Sequence, residues 1–251
     1  MARDDAERVP AEGAHHFMPP ARFAVRYRLR FLAWLLEGHG VVREALLRAW
    51  PGAVRRELTV TERVAELPFV LRSLDLPRGA RVLDVGSQWS LLPLFLASEG
   101  YDTVAADVSP VPIVGSGPAV VRADLRRPPF RPATFDGATM VSTLEHIGVG
   151  FYDERRATDD DLAVMRALRD LVRPGGVLVL TVPFGRPGVG RHQRSYDAAR
   201  LRLATEGWTR AETRFLARRG TAWREATEAE ASAIDSVDET NAVAMLRLRR
   251  P

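Results

Sequence analysis

Downstream of the Pro77-Arg78-Gly79 turn, short apolar runs alternate with amphipathic stretches. Arg81 to Val85 is a compact apolar run broken only by Asp84, and it closes on Gly86. Such a run reads as a buried strand entering a turn. Leu91 to Ser98 then carries helical spacing and stops at Gly100. The alternation continues with strands at Thr103 to Ala106, Ala119 to Arg122 and Phe135 to Val141. A helix over Asp159 to Val172 places Leu162, Met165, Leu168 and Val172 on one face, with Asp159 or Asp160 as its cap. The Pro174-Gly175-Gly176 turn leads into a strand over Val177 to Val182, followed by a helix over Ala198 to Glu206. Two final strands are expected at Ala211 to Ala217 and Ala242 to Leu248. Strands separated by helices predict an α/β fold, doubly wound, with a mostly parallel seven-stranded sheet.

Upstream of this region the pattern changes. Residues 1–20 are polar, with no apolar core of a secretory signal, and are expected to form a disordered tail. Over residues 21–76 the apolar positions recur at helical spacing, among them Phe23, Tyr27, Phe31, Trp34 and Leu35, and then the stretch TERVAELPFVLRSLDL. This helical extension is a candidate cap for a ligand site and a candidate homodimer face. Residues 77–251 form the main domain.

Composition narrows the function classes. With 251 residues and 46% hydrophobic content, the chain buries a full core without a metal or a disulfide. It has no cysteine, which excludes thiolate zinc sites and cysteine nucleophiles. The basic residues are all arginine, the mark of a GC-rich coding genome, and the net charge is +4. The arginine clusters (Arg26, Arg28, Arg30; Arg126, Arg127, Arg131) are short and scattered, so no nucleic-acid partner is expected. No apolar run is long enough to span a bilayer. No membrane partner and a cytoplasmic location are therefore the expectation.

A doubly wound sheet binds its ligand outside the carboxyl ends of its strands. Those ends hold Asp84, Asp107, Asp124, Ser142 and Glu145. A dinucleotide loop would need glycines where Gln88 and Ser90 stand, and Asp84 would repel a pyrophosphate by a few kcal/mol at an effective dielectric near ~20. A cationic nucleoside without phosphate has the opposite preference. S-adenosylmethionine is such a molecule: Asp84 suits its charged methionine end, Asp107 its ribose hydroxyls, and Asp124 its adenine amine with Leu125 beside the ring.

The motifs VLDVGSQWS, AADVS, RADLRRPPF, FDGATMVSTLEHIG and VRPGGVLVLTVP together resemble the class I S-adenosylmethionine-dependent methyltransferases. The likeness is to the "type 11" small-molecule group, and it runs from about Arg72 to Val182. It implies a Rossmann-like fold, S-adenosyl-L-methionine as cofactor and a small-molecule substrate. It also implies cofactor contacts at Asp84, Gly86, Ser87, Gln88, Asp107, Val108, Asp124, Leu125, Ser142 and Thr143.

Methyl transfer to a hydroxyl requires removal of its proton, and a histidine is the usual agent. His146, beside Glu145 after the fourth strand, and His192, in the loop after the fifth, are the candidate catalytic residues, with Glu145 as partner. His192 has a structural alternative, capping a helix that starts near Ser195. Glu145, His146, Asp153 and His192 are donors that a metal can use, but their spacing matches no ligand signature, so no metal is assigned. Asp159, Asp160 and Asp161 read as the favourable acidic first turn of a helix. Phe151, Tyr152, Phe184 and Tyr196 are expected to wall the pocket. The leading expectation is O-methylation of a sugar or polyketide-like natural product. The alternatives are a non-methylating reaction on the same fold, such as a cyclisation, or a cofactor-less scaffold.

Overall fold

The computed structural model describes residues 61–88, 90–113, 117–150 and 156–251. The tail, the helices expected over 21–60, and Phe151, Tyr152 and Asp153 lie outside the described residues. From Glu62 to Pro251 the chain forms one compact unit.

Helix α1 (Arg63–Leu74) leads into strand β1 (Arg81–Val85), helix α2 (Leu92–Ser98), β2 (Asp102–Asp107), β3 (Ala119–Arg122) and β4 (Phe135–Val141). A 3-10 turn at Leu144–His146 follows, then α3 (Asp160–Leu171) and β5 (Val172–Pro183). The short strands β6 (Gly188–Val189) and β7 (Arg194–Ser195) pair as a hairpin before α4 (Ala198–Ala204). The chain ends with β8 (Thr209–Arg219), β9 (Ala222–Ala226), α5 (Glu228–Ser232) and β10 (Ala242–Arg249).

The main sheet runs β3-β2-β1-β4-β5-β10-β8-β9. Pairs from β3 to β5 are parallel, while β10 lies antiparallel to both β5 and β8. The mostly parallel α/β sheet is as expected, with an eighth strand added: β9 returns along β8 through a turn in which Gly220 has φ +62°. The Pro174-Gly175-Gly176 segment is a bulge at the start of β5 and not a turn ahead of it. The register jumps from Phe135↔Val172 to Gly137↔Val177, and the Gly175 amide donates to the Arg250 carbonyl at 2.8 Å.

Strand alternation sends side chains to two cores. Leu83, Val85, Met140, Leu178, Leu180 and Leu246 pack under α3 and α4, joined by Val164, Met165 and Leu168. Val82, Val141, Val179, Val243 and Met245 face the other way, against Phe69, Val70 and Leu74 of α1 and Leu92 and Leu96 of α2. Each of those buried α1 side chains contributes about 2 kcal/mol of apolar burial. Residues 62–76, grouped by sequence pattern with the helical extension, thus pack on the sheet itself. Phe184 and Tyr196, expected as pocket walls, are both fully buried in the first core. They are packing residues, and the Tyr196 hydroxyl is spent on Asp161 at 2.8 Å.

Candidate active site

The strand order reverses between β1 and β4, which makes the crevice beyond their carboxyl ends the place for a ligand. Gly86 forms one wall. It has φ +84°, and a Cβ there would sit 2.1 Å from Thr143 Oγ1 on the opposite wall. Only glycine therefore lets the turn after β1 lie against the turn after β4. Thr143 Oγ1 in turn donates to the Val141 carbonyl at 3.0 Å, closing its own turn.

Asp84 is buried near the carboxyl end of β1. In register with Thr139 on the neighbouring strand, it accepts from Thr139 Oγ1 at 2.6 Å and from Ser87 Oγ at 2.7 Å. The residue is 2% exposed. Burial raises its carboxyl to about 6, against the pull of those two hydroxyls. Asp84 is thus placed in the sheet interior, where it braces the loop after β1 through Ser87.

Asp107, at the end of β2, is partly buried. Its Oδ2 accepts from the Gln88 amide at 3.1 Å and its Oδ1 from the Ser109 amide at 2.8 Å. Each oxygen keeps a further lone pair, enough to receive a diol. Burial raises this carboxyl above its usual range, opposed by the Ser109 and Gln88 amides. Next to it Val108 is 41% exposed, an apolar surface beside a polar anchor. Gln88 thus contributes its backbone to the site, and Ser90 supplies a hydroxyl that accepts from the Leu92 amide at 3.0 Å in the first turn of α2. The residues standing where a dinucleotide loop has glycine build this loop from within.

Asp124 is bound to Arg126 through the Arg126 amide (2.9 Å) and guanidinium (2.8 Å), and the same guanidinium reaches Asp160 at 2.9 Å. Desolvation opposes it, but Arg126's hydrogen bonds and charge carry this carboxyl below its usual range. Leu125 is buried in the core. Asp124 thus sits in a salt-bridged turn above the packed Leu125, its side chain still 42% exposed.

Ser142 ends β4 in the left-handed region, φ +41°, a conformation that costs a non-glycine residue on the order of 1–2 kcal/mol. Its amide donates to Thr181 Oγ1 at 3.0 Å and its hydroxyl to Glu66 Oε1 at 2.8 Å. Glu66 is fully buried and also receives Arg63 Nη1 at 3.2 Å. Arg63 Nη1 reaches the Val141 carbonyl as well, at 3.3 Å. These α1 residues were not among the sequence candidates. The signal was present: Glu62 and Glu66 continue, at helical spacing, the buried stripe of Phe69, Val70 and Ser73.

The structure brings together the segments that carry the three catalytic candidates, His192 through its main-chain carbonyl. His146 Nδ1 lies 2.7 Å from the His192 carbonyl, and Nε2 lies 3.8 Å from Glu145 Oε1. A carbonyl only accepts, so Nδ1 carries the proton and Nε2 the lone pair. Burial lowers His146 to about 4, despite the bond to His192, so the ring is neutral at physiological pH. Glu145 is fully buried, and neither carboxyl oxygen makes a hydrogen bond. Burial first, then Glu66 and Glu62, push its carboxyl well above the usual range, with the nearby Glu145 backbone amide and Arg63 opposing. Glu62 rises to about 7 by burial and by Glu66. His192 does not cap α4: Asp197 does, accepting from the Arg200 amide at 2.7 Å. The acidic start of α3 is as expected, with Asp159 at the N-cap and Asp160 and Asp161 in the first turn, and its carboxylates also hold arginines. Asp160 takes Arg126, and buried Asp161 takes Arg194 at 2.6 Å and Arg200 at 2.5 Å. Among the described residues, no three His, Asp or Glu side chains converge as a metal site, and no helix is long and apolar enough to cross a membrane.

Residues 55–228, more than half of the chain, match the model of a family described as "Methyltransferase domain". The chain belongs to the S-adenosylmethionine-dependent methyltransferases. The methyltransferase is 34% identical over 125 residues to the ubiquinone biosynthesis O-methyltransferase of Xanthomonas campestris pv. campestris (strain B100). That alignment covers 46% of this chain and 47% of the relative, so the chain matches about half the length of the curated relative. In three dimensions it resembles the cyclase SpnF (TM-score 0.55, 16% identity, covering 74% of this chain and 79% of that one). It also resembles the N-methyltransferase NodS of Bradyrhizobium japonicum WM9, solved with S-adenosylhomocysteine (TM-score 0.51, 17% identity, 76% and 87%). Likenesses at that identity establish the fold, which serves more than one reaction. The methyltransferase domain binds S-adenosylmethionine, and the side-chain-free Gly86 turn and the remaining acceptor capacity of Asp107 fit that cofactor.

Proposed function

We propose that this methyltransferase methylates an acidic hydroxyl, of the phenol or enol type found in polyketide-like natural products, with His146 as the general base. When bound, S-adenosylmethionine supplies an electrophilic methyl group on a sulfonium. The chain's residues orient the partners and take the proton, since an in-line displacement needs mainly alignment. In this reading Asp107 holds the ribose diol, Val108 and the Gln88 backbone flank the nucleoside, and the Ser142-Thr143 turn with Gly86 shapes the methionine end.

The observation that carries the proposal is the His146–His192 bond. It fixes the tautomer that leaves Nε2 as the acceptor of the substrate proton. A base lowered to about 4 is fully deprotonated at neutral pH but weak. Brønsted behaviour matches it to an acidic hydroxyl better than to an aliphatic sugar alcohol. That narrows the expected sugar or polyketide-like class to its phenolic side. The name of the curated O-methyltransferase relative supports oxygen as the acceptor.

The test is a mass-resolved assay with S-adenosylmethionine against paired phenolic and sugar acceptors. A gain of one methyl on the phenols alone is expected. Methylation confined to amines or sugar alcohols would remove the proposal.

A further inference from the structure

The left-handed turn at Ser142 lies at the junction of three elements that meet behind the crevice. From β4 comes Ser142 itself, with φ +41°. From β5 comes Thr181, whose carbonyl and Oγ1 accept the Ser142 amide at 3.1 and 3.0 Å. From α1 comes Glu66, which accepts the Ser142 hydroxyl at 2.8 Å and is itself held by Arg63. The next residue, Thr143, presses on Gly86, so any rotation of the Ser142 turn moves the opposite wall of the crevice. A serine stays in this conformation only where its surroundings over-determine it. The hydroxyl bond to a buried carboxylate is the part of those surroundings that depends on the side chain.

We propose that Glu66 is a positioning residue for the cofactor: by tethering the Ser142 hydroxyl, it fixes the Ser142-Thr143 turn against Gly86 and so sets the width of the crevice. This rests on the assignment of the crevice to S-adenosylmethionine and adds a residue from outside the strand ends to it.

The experiment titrates S-adenosylhomocysteine calorimetrically into wild type, Glu66→Ala, Glu66→Gln, Ser142→Ala and Ser142→Gly, with thermal unfolding measured for each. A hydrogen bond to a buried charged group is worth about tenfold or more in an equilibrium it controls, so Glu66→Ala and Ser142→Ala should each weaken binding by about that factor. Glu66→Gln keeps an oxygen for Ser142 and should recover most of the affinity. Ser142→Gly separates positioning from packing. Glycine adopts the left-handed backbone freely, so the melting temperature should hold or rise while the affinity still falls.

Binding by Ser142→Gly within about twofold of wild type, or Glu66→Gln as weak as Glu66→Ala, would overturn the proposal. If Glu66→Ala does not fold, the glycine and glutamine variants decide alone. Wild type failing to bind S-adenosylhomocysteine would instead overturn the cofactor assignment, a result distinct from unmoved variants of a binding protein.

Discussion

The ring of His146 and the backbone of His192, 46 residues apart, are joined by a bond of 2.7 Å from Nδ1 to the carbonyl oxygen. One histidine is therefore a candidate base and the other its orienter, acting through the main chain. His146→Ala should lower kcat by about 10²–10⁴-fold, the usual contribution of a general base, with S-adenosylhomocysteine affinity little changed. The acid limb of kcat/KM should fall near pH 4 in wild type, where His146 takes up its proton. His192→Ala keeps the carbonyl and should retain most of the activity. Steady-state kinetics from pH 4 to 8 on the three proteins reads all of this, and equal loss in both variants would count against the division of roles.

Glu145 gives a stability prediction with a definite sign. Its folded-state carboxyl is raised well above the ordinary value, so the folded protein binds its proton more tightly than the unfolded chain does. No penalty exists below the unfolded value near 4.5; it grows as pH rises above that value toward the folded one. Glu145→Gln removes the penalty. The variant should therefore gain melting temperature over wild type at pH 8 and gain much less at pH 4.5. A constant difference across that range, measured by calorimetry, would contradict the buried, unpartnered carboxyl.

Asp84 and Asp107 occupy equivalent places in the sequence pattern, each ending a strand, yet the structure gives them different work. Asp107→Ala should weaken S-adenosylhomocysteine binding by at least about tenfold, the cost of a lost charged hydrogen-bond pair, with a small change in melting temperature. Asp84→Ala leaves the Thr139 hydroxyl buried without its acceptor, while Ser87 Oγ keeps the residue-84 carbonyl at 3.0 Å, and should cost about 1–3 kcal/mol of stability. Calorimetric binding and unfolding on both variants would show the two losses in opposite columns. The reverse pattern would return Asp84 to the cofactor.

That contrast also shows what the sequence could and could not convey. Strand ends are legible because period-two burial and punctuating glycines are local, so β1 to β5 and their order of chemistry emerged from pattern alone. Which way a strand-end carboxylate faces depends on register: Asp84 is committed by Thr139, 55 positions away. Asp124 pairs with Arg126, a pairing that spacing allowed but did not compel. Glu66 was hidden because a buried acid on an apolar stripe looks like an interruption until its partner Ser142 is known. The eighth strand, β9, was missed because five residues with two charges among them carry little β signal.

The last prediction concerns Asp161, which holds the His192 segment in place. It is fully buried, pairs with Arg194 and Arg200, and accepts from the Tyr196 hydroxyl at 2.8 Å. Arg194 lies two residues after His192, so this carboxylate fastens the hairpin that carries the His192 carbonyl to α3. Removing one partner of a buried ion pair leaves uncompensated charge and costs about 3–5 kcal/mol. Asp161→Asn should therefore lower the melting temperature by many degrees. If the clamp also serves the site, the folded variant assayed well below its melting point should lose kcat while keeping its affinity for S-adenosylhomocysteine, because Asp107 and the Gly86 turn lie on other elements. A variant that is destabilised but has unchanged kcat when folded would confine Asp161 to stability and release His192 from its dependence on the clamp.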